Sequence, residues 1–131
     1  MLGQSQYWEA LESFSFGDSP EMADRLLAFV LGGSKRATCW SVADGQQTHL
    51  GKQMVVLNGA GRPRAVVETV ELEQRRFCDV DWQFALDEGE GDETLEDWRR
   101  GHQNYFERNG GFDPEMMLWC ERFRLVEVIG D

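Results

Sequence analysis

The sequence predicts an α+β domain: a small, mostly antiparallel β-barrel flanked by helices. Three observations carry that expectation. Apolar stripes of helical period at 22–30 and 95–106 alternate irregularly with about five strand-like runs. Two of those runs, 53–58 and 63–72, are parted only by Gly59-Ala60-Gly61, a hairpin signal. Regular strand–helix–strand units are too few for a parallel sheet. With 131 residues, 41% of them hydrophobic, the chain can bury one core, so a single domain over 1–131 is expected.

Tyr7, Leu11 and Phe14, with Trp8 beside them, fall near helical spacing, which makes 1–17 a helical N-terminal extension. Ser19 then offers a cap, Pro20 suits a first helical turn, and Gly32-Gly33 can stop the helix that Met22, Ala23, Leu26, Leu27 and Val30 stripe. Runs 37–42, 53–58 and 63–72 are rich in strand formers. A short extended piece at 77–80 leads into one or two helical turns around Trp82 to Leu86, broken by Gly89 and Gly91. Asp92 or Glu93 can open another helix, whose stripe is Leu95, Trp98, His102, Tyr105 and Phe106 and which ends at Asn109-Gly110-Gly111. The tail, 118–129, reads as a long last strand that closes the sheet or barrel.

Charge narrows the function. The net charge is −11, which argues against gripping long nucleic acid through its phosphates alone. Residues 87–97 hold seven acids and no base, leaving −4 for the other 120 positions. Basic pairs at Lys35/Arg36, Arg62/Arg64, Arg75/Arg76, Arg99/Arg100 and Arg122/Arg124 leave room for a local positive patch that suits a short or single-nucleotide ligand. The longest apolar run is too short for a membrane span, and no basic stretch precedes an apolar leader, so a cytoplasmic protein is expected. Cys39, Cys78 and Cys120 are widely spaced and read as small reduced thiols. The acidic run lacks the ordered spacing of a calcium loop, and Gly32-Gly33-Ser34-Lys35 lacks the spacing of a phosphate loop; neither a metal nor a cofactor is expected.

The segment 32–40, Gly-Gly-Ser-Lys-Arg-Ala-Thr-Cys-Trp, stands where a helix ends and a strand begins, so that a turn can bring Lys35 and Thr38 together. Its Gly-x-Lys-x-Ala-Thr pattern resembles the signature of the ASCH domain family. Phe84-Ala85-Leu86-Asp87-Glu88-Gly89-Glu90-Gly91-Asp92, followed by Leu95, Trp98, His102 and Tyr105-Phe106, is similar to that family's second region in its longer, helix-rich branch. The resemblance runs from about Leu26 to the last strand. It implies a PUA-like barrel with a cleft between barrel and helices, and a ligand related to RNA or a nucleoside. It also implies hydrolysis of an N4-acylcytidine-type amide, as some relatives suggest, or cleavage of single-stranded RNA, as others do. A non-enzymatic RNA-binding module linked to translation is the third reading.

For amide hydrolysis, Thr38 offers a hydroxyl or a water held by it. Lys35 can act as base if burial or Arg36 lowers its pKa, and Glu88, at the family's Ala-x-x-Glu position, can carry the proton. Glu90 competes for that role. Arg36, Trp40, His102 and Tyr105 are the candidate substrate contacts, Trp40 by stacking on a base. For RNA cleavage, Lys35 would instead stabilise charge at phosphorus while Tyr105 or His102 moves protons. Outside that pattern Lys35 would meet carbonyls at a helix end, Thr38 would be a strand former, and His102, Tyr105 and Trp98 would be packing residues. An exposed strand edge, or Tyr7 and Trp8, offers a surface for a homodimer.

Overall fold

The computed structural model describes residues 6–130. Five strands form one mixed sheet: β1 Ser13–Phe14, β2 Ala37–Ser41, β3 Gln53–Leu57, β4 Pro63–Arg76 and β5 Met117–Val128. Three helices accompany them: α1 Pro20–Leu31, α2 Trp82–Glu88 and α3 Leu95–Arg108. The spatial order is β1-β3-β4-β5-β2, with all pairs antiparallel except β1 with β3. Among the described residues no helix is long and apolar enough to cross a membrane.

Each helix begins where a side chain can satisfy a free backbone N–H. Ser19 accepts from Met22 ahead of α1, Asp81 from Phe84 ahead of α2, and Thr94 from Asp97 ahead of α3. The start of α3 is therefore set by the Thr94 hydroxyl, just past Asp92 and Glu93, the acids expected to open it. Period-two alternation then sorts the sheet. Ala65 and Val67 of β4 pack with Val56, Phe123 and the Leu26, Leu27 and Val30 face of α1. Val66 points the other way, to Val55 and Ile129, with Trp8 and Leu11 laid against them. A third cluster, including Phe77, Phe84, Trp98, Phe106 and Leu118, seats α2 and α3 against β2 and β5.

Three expectations change. The first five residues of the expected helical extension lie outside the described residues. In the rest of it, helix is confined to one 3-10 turn, Tyr7–Ala10, and Ser13–Phe14 joins the sheet instead. Phe77–Asp79, read as extended, is also a 3-10 turn; Phe77 is buried there, and the Asp79 carboxylate returns to Arg76 at 2.9 Å. The barrel is open. β5 lies inside the sheet, between β4 and β2, and no pairing joins the edges β1 and β2 among the described residues. Bulges between Val66 and Val67 and between Thr69 and Glu71 curl the long β4–β5 pair. With only two residues, β1 offers little edge on which to close, and the curled sheet keeps a hollow on one face.

Candidate functional site

The loop that follows α1 is tied to the end of α2 by backbone contacts. Arg36 N donates to Asp87 O at 2.7 Å, and Ser34 Oγ donates to Gly89 O at 2.9 Å. Gly89 ends α2 in the left-handed region, φ +61°, and a Cβ there would meet the backbone of Ser34 and Lys35. Only glycine permits so close an approach. The two sequence patterns, 33–38 and 85–88, thus form one unit, and Lys35 enters the protein from it.

Lys35 is 2% exposed. Its ammonium donates to Ala37 O at 2.8 Å, Glu90 Oε2 at 2.7 Å, and Glu88 O and Oε2 at 3.4 Å each. Burial pushes its pKa down, but the charges of Glu88 and then Glu90 push harder, and the net direction is up. The expectation of a lowered pKa is corrected: two carboxylates face Lys35, while the Arg36 guanidinium pairs with Asp87 at 3.1 Å. Lys35 is an ammonium here.

Glu88, 1% exposed, is a carboxylate encircled by donors. Trp98 Nε1 and His102 Nε2 both lie 3.1 Å from Oε1, and the Cys39 thiol reaches the same oxygen at 3.5 Å. Burial raises its pKa, but the charges of His102 and Lys35, with the His102 and Trp98 hydrogen bonds, bring it down to about 2. His102 Nδ1 lies 2.9 Å from Trp98 O, so both ring nitrogens face oxygens that only accept. That arrangement needs an imidazolium. Burial opposes the charge, and Glu88 outweighs burial, so the His102 pKa is raised. Glu90 moves the other way from Glu88: burial raises its pKa more than Lys35 lowers it.

Cys39 Sγ, Glu88 Oε1 and His102 Nε2 lie within 4.8 Å of one another, near enough to ligate one ion. The same groups also satisfy one another within the protein: Glu88 Oε1 faces Trp98 Nε1, His102 Nε2 and the Cys39 thiol, and the Lys35 ammonium sits on the other side of Glu88.

Two adjoining cavities open beside this cluster. The first, about 270 Å³, is lined by Lys35, Thr38, Glu88, Glu90, His102 and Tyr105, among others. The second, about 250 Å³, lies in the hollow of the open sheet and includes Trp40, Thr48, Thr69 and Glu121. Phe16, Gly17, Thr38 and Tyr105 line both. The Thr38 hydroxyl makes no hydrogen bond among the described residues, and Trp40 donates its indole N–H to Gly45 O at 2.8 Å.

The structure therefore gathers Lys35, Thr38, Glu88, His102 and Tyr105 around one cavity and sets Trp40 in its neighbour. Arg36 lines neither: its side chain is 65% exposed and braces Asp87, which Arg122 holds from the other side at 2.9 Å. Sequence reasoning missed Cys39 and read Trp98 chiefly as a packing residue. It also missed Thr48, Thr69 and Glu121, which three separate segments supply. Helical spacing of Trp98 and His102, four apart on a stripe pointing toward Glu88, was the available signal for the Trp98 contact.

The sequence model of the ASCH domain matches residues 12–127. No curated protein matches the chain. A crystal structure of protein EF3133 from Enterococcus faecalis V583 is similar at 31% identity and TM-score 0.81, over 89% of this chain and 77% of that one. The ASCH domain from Lactobacillus crispatus JV V101 is similar at 28% identity and TM-score 0.80, over 87% and 78%. The hypothetical protein PH0355 shares the fold at 10% identity and TM-score 0.55, over 76% and 89%.

Proposed function

Because this chain belongs to the ASCH domain family, we propose that it acts on RNA or a modified nucleoside and hydrolyses an N4-acylcytidine-type amide in its first cavity. The observation that carries the reading is the buried Lys35 ammonium, 2.7 Å from Glu90, on the wall of a cavity that the Thr38 hydroxyl also lines.

The roles follow from the electrostatics. Glu88 is held too acidic to exchange protons near neutrality, so it anchors Lys35 and His102. Glu90, with its pKa raised, is the better proton carrier. A water held by Thr38 attacks the acyl carbon and gives its proton to Glu90, while the Lys35 ammonium faces the oxyanion that forms. Glu90 returns the proton to the leaving exocyclic nitrogen as the C–N bond breaks. The products are a carboxylic acid and the free amino base.

The test is cytidine release from N4-acetylcytidine by the wild type, Lys35→Ala, Glu90→Gln and Thr38→Val, with a single-stranded RNA panel alongside. Glu90→Gln should lower turnover by about 10²–10⁴-fold. Since Lys35→Ala takes the ammonium from buried Glu88 and half-buried Glu90, the Glu90 and Thr38 variants decide the matter if it fails to fold. RNA cleavage lost with the same changes would make the protein a ribonuclease. Binding without turnover would make it an RNA- or nucleoside-binding module.

A further inference from the structure

The first cavity does not exhaust the hollow. The second is lined from every strand of the open sheet: Phe14 of β1, Trp40 of β2, Met54 of β3, Thr69 of β4 and Glu121 of β5. A closed barrel fills this space with side chains; here it is empty and continuous with the first cavity through Thr38 and Tyr105. Neither lobe alone reaches the ~300 Å³ at which ligand pockets begin, and together they exceed it.

The floor of the second lobe is polar and built. Glu121 is 8% exposed. Its Oε2 accepts from Thr69 Oγ1 at 2.6 Å, and Thr69 is held in turn by Thr48 at 2.8 Å. Its other oxygen has no hydrogen-bond partner among the described residues. An accessible acceptor left open on the lining of a lobe is complementary to a donor on the ligand. Phe14, Trp40 and Tyr105 on the lining suit a planar ring, and Lys52 on the same lobe, paired with Glu12 at 3.0 Å, is the cation nearest to hand for a phosphodiester that displaces that carboxylate.

We propose that the second lobe is a subsite for a flanking nucleobase that presents an exocyclic amino group to Glu121, so that the preferred ligand is a dinucleotide or longer single strand. This rests on the nucleobase-directed reading of the first cavity. An adjacent cytosine or adenine offers the required amino donor, whereas uracil places a carbonyl there.

The probes are cytidine and the ribodinucleotides CpC, CpU and UpC, titrated calorimetrically at neutral pH. CpC should bind at least tenfold tighter than cytidine. Whichever of CpU and UpC puts uracil in the second lobe should fall back to the cytidine level. In Glu121→Gln, Thr69 still donates to the amide oxygen, and the open position becomes an N–H₂ donor. The preference should then reverse toward uracil. Met54→Phe, which narrows the lobe from its wall, should remove the dinucleotide gain by a second route. Equal affinities for CpC and cytidine, or a Glu121→Gln variant that keeps the CpC preference, would overturn the subsite. If cytidine binds and its acyl derivative turns over while CpC gains nothing, only the subsite fails. If CpC binds tightly through Glu121 without amide turnover, only the hydrolase reading fails. If no probe binds, both fail.

Discussion

The imidazole of His102 stacks on the indole of Trp98, ring centroids 4.0 Å apart and planes 20° from parallel, and both rings face one oxygen, Oε1 of Glu88. Helical spacing of four residues makes the stack, and the stack aims two donors at a carboxylate delivered by another helix. Trp98→Phe keeps an aromatic ring there and removes one donor. A hydrogen bond to a charged group contributes about 1.5–3 kcal/mol, and the variant should lose at least that much. Urea unfolding of the two proteins measures it. Glu88, short of one partner, should also titrate above about 2, which carbon-13 NMR of its side-chain carboxyl reports.

The charge on His102 makes stability depend on pH in a definite sense. Its folded pKa lies above the ordinary 6.5, so its contribution is fully present below 6.5 and is lost as pH rises through the folded value. Glu88 has the opposite sign: lowered from 4.5 to about 2, it contributes fully above 4.5 and loses that contribution as pH falls toward 2. In His102→Gln the high-pH loss is absent. The difference in urea midpoint between wild type and variant should therefore be large at pH 5–6 and shrink above it. A difference that stays constant to pH 9 would mean that His102 titrates alike in the folded and unfolded chain, and one that grows as pH rises through 6.5 would mean that it is held neutral when folded.

Gly89 links the two halves of the site, and among the described glycines an added Cβ would meet its neighbours most closely here. A Cβ at this position would run into Ser34 O and lie 2.6 Å from Lys35 N, and the backbone there is left-handed. Gly89→Ala should cost more than about 2 kcal/mol and push Glu88 away from Lys35. Gly33 provides the control: it also has positive φ, 89°, but nothing lies within 4 Å of its Cβ position. Gly33→Ala should cost only the roughly 1–2 kcal/mol of a left-handed alanine. Thermal melts of both variants give the comparison.

These contacts show what was legible beforehand. Local signals were: Ser19-Pro20 began α1, Gly59-Ala60-Gly61 turned the hairpin, and the two patterns holding Lys35 and Glu88 could be read separately. What sequence order hides is pairing across distance. The sheet order that sets β5 beside β2, placing Glu121 opposite Thr38, depends on which edges remain unpaired, and β1 is too short to show a period. The direction of the Lys35 shift was misjudged for a similar reason. Arg36 is its neighbour in sequence, but Glu88 and Glu90 are its neighbours in space, and Coulomb energy follows distance.

The three cysteines differ in a way that a thiol reagent can count. Cys78 is exposed. Cys39 lies against Glu88, where burial first and the carboxylate second hold its thiol protonated; burial and Glu88 likewise push Cys120 up to about 12. Since the thiolate is the reactive species, the folded protein at pH 8 should consume one equivalent of a disulfide reagent quickly, at Cys78. The other two should react only as the protein unfolds, so urea raises the count to three. Lys35→Ala removes a cation that lowers the Cys39 pKa, and should leave Cys39 no more reactive while the fold persists. Fast modification of Cys39 in the folded wild type would instead show that the Lys35 ammonium outweighs burial and the Glu88 carboxylate.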